Sequence, residues 1–326
     1  MALQLNVSVI IPTYNYAHYI CEAVNSIFSQ SYPTELIEVI IVDDGSTDGT
    51  QQVLKTWIDS GQIKYYYQQN QGKAAATAFA IQKSSGKYIF NLDADDYFFN
   101  DKIEKTVNVF ETDPEIVHVA SAARIFEDDT QALGYVEKLP GDTVGKAIDG
   151  MQLLEYFYDN NILYGGGTTY AARASVLKKI NIPSGVDMYI DEFLILAILP
   201  FGKSYFIPTP LSVWRVHSAN YSGKADTIEN GCLKNERLLK SSRAVLDYLI
   251  KKNFKKKLID IYQIKDASRV LAHKEGVNKK NLRDIWIFAN LVFIQIRPPA
   301  KIIWKYQLIN RLIPTALFRI IKRIVK

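Results

Sequence analysis

The sequence predicts an α/β fold built on a doubly wound, mostly parallel sheet, and three observations lead to this prediction. Short apolar runs that suit buried strands alternate with helical patterns through residues 7–92. The chain of 326 residues is 48% hydrophobic and 22% charged, which allows a large core. Two of the apolar runs end in carboxylates, as strands do when they meet at a ligand-binding edge of a parallel sheet.

The first part of the chain contains four predicted strands and three predicted helices. The strands occupy residues 7–12, 39–42, 63–67 and 87–92. Between them, apolar residues at helical spacing predict helices at 20–28, 53–58 and 72–84. Right-handed crossovers place the carboxyl ends of such strands on one edge of the sheet. We therefore expect the loops that follow the strands to converge there.

The pattern is less regular after residue 116. We expect a strand pair, a glycine loop leading into a strand, an apolar helix and an extended segment, at 116–126, 164–170, 187–199 and 205–216 in that order. A change in composition near 222–225 indicates a boundary. It predicts an α/β domain at residues 1–222 and a helical region at residues 223–326.

The most informative run is KYIFNLDADD at residues 87–96, a buried strand that ends in Asp93, Asp95 and Asp96. Burying clustered charge is costly, so packing does not explain such a strand end. Hard oxygen ligands suit Mg²⁺ or Mn²⁺, so the cluster indicates a cation site. A solvated acidic turn is the alternative interpretation. Asp43 and Asp44 end another strand, and we expect them at the same edge.

Three motifs follow one another along the chain: SVIIPTYN at 8–15, VDDGSTDGT at 42–50 and DADD at 93–96. Together they resemble the nucleotide-binding half of a family 2 glycosyltransferase with the GT-A fold, which has a Rossmann-like sheet. The resemblance covers approximately residues 6–220. It implies inverting transfer of a sugar from a nucleotide-activated donor, with UDP as the expected carrier.

The resemblance also implies which residues bind the nucleotide sugar. These are Pro12, Thr13, Tyr14, Asn15, Asp43, Asp44, Asn70, Gly72, Lys73, Asp93, Ala94 and Arg215. Asp44 would bond the base edge, and Arg215 would face phosphate. Lys73 would approach the diphosphate in place of an arginine that the family often carries in this loop.

A divalent cation, Mn²⁺ or Mg²⁺, is implied as the cofactor. Asp95 and His217 would be its ligands, with Asp93 beside them. Negative charge grows on the leaving diphosphate, and a cation stabilises that charge as a Lewis acid. An ordinary core or surface histidine is the alternative for His217, and it is the interpretation that we give to the other three histidines.

Inverting transfer also needs a general base for the acceptor hydroxyl. The family usually carries Glu-Asp at the start of a helix, whereas this chain has IDEFL at 190–194, with the acids exchanged. Glu192 falls on the base position by register and Asp191 keeps the residue type, so both remain candidates. Alternatively, both acids simply favour the first turn of a helix. The Gln-x-x-Arg-Trp motif of processive synthases is missing, which predicts addition of a single sugar.

The tail, at about residues 285–326, alternates apolar and basic residues. Residues 297–326 contain eight Lys and Arg and no acid; removing these eight leaves 31 basic against 34 acidic residues, so residues 1–296 sum to −3. The apolar run at 285–296 is shorter than the roughly 20 residues of a transmembrane helix. We therefore expect interfacial helices on an anionic membrane. A helical cap or an oligomer contact is the alternative.

Membrane association would suit a glycan or polyprenyl-diphosphate-linked acceptor, and a peripheral location on the cytoplasmic side of a bacterial inner membrane. The two cysteines fit a reducing compartment, and we expect no signal peptide. The negative sum of residues 1–296 and the aliphatic tail argue against a nucleic-acid partner. The main alternative function is a non-catalytic nucleotide-sugar or membrane-surface binding protein that retains the fold.

Overall fold

The structure, a computed structural model, describes residues 5–128, 132–160, 162–187, 189–217, 220, 228–276 and 282–291. The chain divides into two compact units. The first unit comprises Met1–Leu154, Tyr164–Ile182 and Ile190–Gly223, and the second comprises Glu155–Leu163, Pro183–Tyr189 and Lys224–Lys326. The predicted boundary at 222–225 lies outside the described residues. The second unit also includes two short segments, 155–163 and 183–189. The sequence predicted one boundary only, which placed these segments in the first domain.

One sheet forms the framework of the first unit. Its ten strands among the described residues are β1 (Val7–Thr13), β2 (Ile37–Asp43), β3 (Lys64–Tyr67), β4 (Tyr88–Asn91), β5 (Tyr97–Phe98), β6 (Ile116–Glu127), β7 (Ala132–Val136), β8 (Ala147–Asp149), β9 (Tyr170–Arg173) and β10 (Lys203–Val216). The strand order is β3-β2-β1-β4-β9-β6-β10-β5, with β7 beside β6 and β8 beside β10.

The predicted α/β class is confirmed. Strands β3, β2, β1 and β4 run parallel, as do β6 and β10, while β9 runs antiparallel to both β4 and β6. Every residue of β1 is buried, because helices and neighbouring strands cover it and a parallel sheet is buried on both faces. The strand pair expected at 116–126 is wrong: β6 is one long strand, held between β9 and β10.

The helices fill the crossovers and the C-terminal part. They are α1 (Ile20–Phe28), α2 (Thr50–Val53), α3 (Lys55–Asp59), α4 (Lys73–Lys83), α5 (Lys102–Thr112), α6 (Gly150–Asn160), α7 (Ala174–Leu177), α8 (Ile190–Ile198), α9 (Ile228–Lys251), α10 (Lys256–Gly276) and α11 (Leu282–Asn290). The apolar stripe predicted for α1 is its buried face, which contains Ile20, Ala23, Val24 and Ile27.

The second unit is helical where it is described, and it is tied together by ion pairs. Arg237 of α9 donates two hydrogen bonds to the Asp187 carboxylate, at 2.5 and 2.8 Å. Lys257 of α10 pairs with Asp159 at 2.7 Å. Among the described residues, no helix has the length and apolar character needed to cross a membrane. Most of the predicted interfacial tail, residues 292–326, lies outside the described residues.

Candidate active site

The three carboxylates after β4 have different surroundings, and Asp96 is the most enclosed of them. It is buried, and both of its oxygens accept hydrogen bonds: Oδ1 from the backbone N–H of Arg215 at 2.9 Å, and Oδ2 from the hydroxyl of Thr168. Burial, followed by the charges of Asp95 and Asp93, raises the pKa of Asp96 well above its ordinary value. Asp96 therefore supports the turn from inside the protein.

Asp95 lies against His217. Its Oδ2 atom is 3.2 Å from His217 Nε2 and accepts a hydrogen bond from Asn220 at 3.1 Å. His217 is buried, and its Nδ1 atom has no hydrogen-bond partner among the described residues. Burial, followed by the charge of Asp93, raises the pKa of Asp95. A carboxylate oxygen and an imidazole nitrogen, both suitable as metal ligands, are thus adjacent.

These two side chains fit part of a cation site. Within the described part of the chain, no three His, Cys, Asp or Glu side chains come together as a metal site would require. However, Mg²⁺ is often bound through only one or two carboxylates plus phosphate oxygens. The predicted ligands Asp95 and His217 are brought together through His217 Nε2, while the buried Nδ1 atom of the same ring has no hydrogen-bond partner among the described residues. The residues therefore fit a cation that takes its other ligands from a bound diphosphate.

The sequence predicted that Arg215 would face phosphate, but its guanidinium has other partners. Its Nη1 donates to Asp128 at 2.8 Å, its Nη2 donates to Glu22, and its Nε donates to the carbonyl of Asp95 at 2.9 Å. The group is nearly buried and lies 5.0 Å from the ring centroid of Tyr19. With all three nitrogens engaged within the protein, Arg215 positions the backbone of Asp95.

Lys73 joins the donor-side acids to the candidate base. Its Nζ donates to Asp93 Oδ2 at 2.9 Å and lies 3.4 Å from Asp191 Oδ2. Burial alone would lower the pKa of Lys73, but the charges of Asp191 and Asp93 outweigh burial and raise it. Asp93 Oδ1 also accepts a hydrogen bond from Asn91 at 3.1 Å. The predicted grouping of Lys73 with Asp93 is present in the structure.

The two candidates for the general base face different surroundings. Asp191, at the start of α8, contacts Lys73 and accepts a hydrogen bond from the backbone of Gly167. Burial, followed by the charge of Asp93, raises the pKa of Asp191, while Lys73 opposes the shift. Glu192 is only 7% exposed. Of the two candidates, Asp191 is therefore the acid that contacts the Lys73 ammonium group, which also binds Asp93.

The two acids after β2 hold loops in place. Asp43 accepts hydrogen bonds from the backbone N–H of Ser46 at 2.7 Å and from the Tyr65 hydroxyl at 2.6 Å. Asp44 accepts from the backbone N–H groups of Gln71 at 2.9 Å and Gly72 at 2.7 Å. Both acids are buried. Asp44 thus fixes the loop that leads into α4, where Lys73 is the first residue.

The remaining predicted donor residues lie at the end of β1 and on the loops that follow β1, β3 and β4. Thr13 is buried with no partner for its hydroxyl among the described residues, whereas Tyr14 is 46% exposed. Asn15 adopts a φ of 58°, which asparagine tolerates, and its side chain accepts a hydrogen bond from the Thr47 N–H at 2.8 Å. Pro12 and Ala94 are buried, and Asn70 is exposed.

A glycine segment, Gly165–Thr169, borders the acids. The hydroxyl of Thr168 accepts a hydrogen bond from the backbone N–H of Asp93 at 3.1 Å while it donates to Asp96. The sequence pointed to the glycines of this segment but not to Thr168. A hydroxyl beside a glycine run was a weak signal, because only the fold brings it to the acids.

Two tyrosines complete the surroundings of His217, and the sequence analysis did not single them out for this position. The ring of Tyr19 lies 4.6 Å from the His217 ring, and the ring of Tyr16 lies 6.1 Å from it, edge on. Burial, then the charges of Asp95 and Asp93, raise the pKa of Tyr16. Both residues follow the first motif closely, and that proximity was the one available signal.

Comparison with known proteins shows the family of the chain. Residues 8–180 match glycosyl transferase family 2. An uncharacterized glycosyltransferase of Nostoc sp. is 26% identical over 298 residues, which is 88% of each chain. Over some other curated relatives the match covers as little as 17% of the relative's length.

Two solved structures are similar in fold. TarS 1–349 of S. aureus in complex with UDP-GlcNAc has a TM-score of 0.58 at 17% identity, with coverage of 94% of this chain and 89% of TarS. The mannosyltransferase PcManGT of Pyrobaculum calidifontis, in complex with GDP-Man and Mn²⁺, has a TM-score of 0.57 at 19% identity, with coverage of 96% and 86%. Both support the GT-A type of fold.

Proposed function

The chain belongs to glycosyl transferase family 2, and we propose that it is a cation-dependent, inverting enzyme that moves one sugar from a UDP-sugar to an acceptor hydroxyl. The observation that carries this proposal is the Lys73 bridge, in which one ammonium group contacts both Asp93 and Asp191. A carboxylate suited to the donor thus lies beside a carboxylate suited to the acceptor proton. A single displacement needs both groups within one site.

Asp191 is the general base in this proposal. The acceptor hydroxyl oxygen attacks the anomeric carbon, the bond from that carbon to the diphosphate oxygen breaks, and Asp191 takes the hydroxyl proton. One displacement inverts the anomeric centre. The hydrogen bond from Gly167 and the contact with Lys73 hold the Asp191 carboxylate in one orientation.

Asp95 and His217 are the residues that would hold the divalent cation. Bound there, Mn²⁺ or Mg²⁺ would stabilise the negative charge of the leaving diphosphate. Support comes from the adjacent ligand atoms and from the Mn²⁺ of the PcManGT complex. Arg215 keeps the Asp95 backbone in place, and Asn220 orients the Asp95 carboxylate.

The UDP part of the proposal rests on the motifs and on the fold relative. TarS binds UDP-GlcNAc. In this chain, the unsatisfied hydroxyl of Thr13 and the exposed ring of Tyr14 stand at the carboxyl end of β1, where a base and ribose would bind. PcManGT binds GDP-Man, so GDP is the carrier to compare against.

The test is a panel of UDP, GDP and dTDP with Mn²⁺, Mg²⁺ or EDTA, read as thermal stabilisation of the full chain, followed by hydrolysis of the matching sugar donors. At a concentration of 100 times its Kd, a ligand adds about 2.7 kcal/mol to the free energy of unfolding. We expect this for UDP with a cation and not with EDTA. Equal stabilisation in EDTA would contradict the cation, and stabilisation by no nucleotide would contradict the whole proposal.

We also propose that the enzyme works as a peripheral protein at an anionic membrane surface, the cytoplasmic face of a bacterial inner membrane, on a glycan or polyprenyl-diphosphate-linked acceptor. Helix α11 supports this. Leu282 is 83% exposed and Trp286, one turn later, is 64% exposed, with Ile287 beside it. The chain that follows α11 carries eight cations and no acid in residues 297–326.

Flotation with anionic and neutral vesicles tests this location. We expect the full chain to float with anionic vesicles only, and less at high salt. A chain shortened after residue 291 tests the tail, and Trp286→Ser tests α11. Unchanged flotation of the shortened chain would show that the tail is not the anchor.

A further inference from the structure

Lys102 is a buried lysine that the reaction described above does not use. It begins α5, is 1% exposed, and its Nζ donates to the carbonyl of Thr169 at 3.0 Å. The ring centroid of Phe98 lies 5.1 Å from Nζ. No carboxylate pairs with Lys102 within the described part of the chain. Burying an ammonium group without a counter-ion is costly. Its hydrogen bond to the Thr169 carbonyl is therefore the contact that we consider as the reason for a lysine at this position.

That acceptor belongs to the glycine segment. Thr169 directly follows Thr168, whose hydroxyl binds both Asp96 and the backbone of Asp93. Thr169 is also fixed to the segment itself, because its hydroxyl donates to the carbonyl of Gly166 at 2.6 Å. A shift of the Thr169 carbonyl would therefore move the groups that hold the acidic turn.

The segment also reaches the proposed base. The backbone of Gly167 donates to Asp191, and an ideal Cβ on Gly167 would lie 3.5 Å from Asp93 Oδ2, in van der Waals contact. An ideal Cβ on Gly166 would lie 3.0 Å from the Cβ of Asp191. The segment is thus in contact with the donor-side carboxylate and with the base at the same time.

The other end of the segment is held by a second buried side chain. His118 Nε2 donates to the carbonyl of Gly165 at 2.9 Å, and its Nδ1 accepts from the Ser204 hydroxyl at 2.8 Å. Gly165 has a φ of +82°, and an ideal Cβ there would lie 2.9 Å from His118 Cε1. The two ends of the segment are therefore pinned by side chains from α5 and β6.

We propose that Lys102 is a positioning residue for sugar transfer: by holding the Thr169 carbonyl, it keeps the glycine segment where Thr168 orders the Asp93–Asp96 turn and Gly167 orients Asp191. This inference rests on the proposed function for its effect on turnover. Its effect on the segment is independent of that function.

Burial also lowers the pKa of Lys102 to about 7, which shows how strongly its surroundings disfavour the charge. Replacing a buried, unpaired charge by an apolar side chain of similar size commonly leaves stability unchanged or raises it. Lys102→Met should therefore remove the hydrogen bond to Thr169 without unfolding the protein. This separates positioning from a general contribution to stability.

The experiment compares Lys102→Met with Lys105→Met in the full chain. Lys105 lies on the same helix, and its ammonium pairs with Asp101 at the surface at 2.5 Å, so it is a matched control. Amide hydrogen exchange of the nucleotide-free protein reports on the segment itself. Turnover of a UDP-sugar with Mn²⁺ reports on its consequence.

We expect Lys102→Met to melt no lower than the wild-type protein while the amides of Gly167 and Thr169 lose about tenfold in protection, a factor that the loss of one hydrogen bond can supply. Turnover should fall by about tenfold or more, because misplaced reacting groups are costly. Lys105→Met should change neither. In a double-mutant cycle, Lys102→Met and Thr168→Val should be non-additive in kcat, since both act through one segment.

Unchanged protection in Lys102→Met would overturn the inference, whatever the protein catalyses. Loss of protection throughout the chain together with a lower melting temperature would also overturn it, since Lys102 would then serve the fold as a whole. Additive effects with Thr168→Val would show that Lys102 acts elsewhere. Absence of any turnover in the wild-type protein would instead contradict the proposed function, while exchange would still decide the role of Lys102.

Discussion

Two segments approach the Asp93–Asp96 turn from different parts of the chain, and they treat their buried polar groups differently. The glycine segment is held by two buried side chains: His118 uses both ring nitrogens in hydrogen bonds, and Lys102 binds a backbone carbonyl. In the other segment, which carries Arg215, His217 and Asn220, the Nδ1 atom of His217 has no partner among the described residues.

This difference distinguishes buried polar groups that hold the scaffold together from buried polar groups that are suited to bind a ligand. A buried polar atom without a partner costs about 1–3 kcal/mol, so proteins rarely keep one unless a ligand uses it or its neighbours. His118 and His217 are both buried histidines, yet only His217 lies against a carboxylate. The comparison places His118 in the scaffold and supports our proposal that His217 binds a ligand.

The largest expected effect comes from Asp95→Asn, which removes the carboxylate that lies beside His217. Removing one preorganised electrostatic stabiliser costs about 10² to 10³ in kcat, and the bound cation should be lost as well. We expect turnover to fall by at least that factor, and UDP stabilisation to become independent of the cation. Asp59→Asn, at an exposed surface pair, is the control. Full turnover with Asp95→Asn would place the cation elsewhere.

The next effect distinguishes Asp191 from Glu192. General base catalysis contributes at least about 10² in rate, so Asp191→Asn should lower kcat by about 10² while leaving UDP affinity nearly unchanged. Glu192→Gln should cost less than about tenfold, because Glu192 is buried in the first turn of α8, whereas Asp191 contacts Lys73. The reverse order of effects would return the base to Glu192.

The sequence predicted well what depends on local pattern. The order of strands and helices through residue 92 followed from apolar runs, and Asp93 with Lys73 followed from motifs at strand ends. Parallel strands bring their carboxyl ends together whatever the details of packing, so the grouping of Asp93 with Lys73 could be predicted from the sequence.

The sequence predicted poorly what depends on distant pairing. Arg215 lies in a motif that suggests phosphate, yet its partner Glu22 is 193 positions away along the chain and Asp128 is 87 away. Lys102 and His118 likewise act on carbonyls 67 and 47 positions away. A backbone carbonyl leaves no mark in the sequence, so neither residue stood out.

A smaller expected effect concerns the scaffold residue Lys102, which should make the free energy of unfolding depend on pH. The pKa of Lys102 is lowered from 10.5 to about 7 by burial. Between these values the unfolded chain binds one proton more than the folded chain, so the free energy of unfolding should rise with pH by on the order of 1 kcal/mol per unit. The contribution is complete above about pH 10.5 and is lost as pH falls to about 7.

Lys102→Met should remove this rise with pH. Its free energy of unfolding should exceed that of the wild-type protein by most at pH 7 and below. Urea unfolding at pH 7, 8 and 9 measures the difference, with Lys105→Met as the control that keeps the wild-type slope. Parallel curves for the wild-type protein and Lys102→Met would show that Lys102 is not a desolvated amine.

The smallest effect concerns His118, because its pH window is narrower. Burial lowers the pKa of His118 from 6.5 to about 4, so the neutral ring contributes stability that is present above pH 6.5 and lost as pH falls to 4. His118→Gln retains a donor for the Gly165 carbonyl but cannot take up the proton. Its free energy of unfolding should fall less steeply between pH 6.5 and 4.5, by on the order of 1 kcal/mol per unit. His18→Gln, at an exposed position, should retain the wild-type slope, and equal slopes for all three proteins would remove His118 from the scaffold.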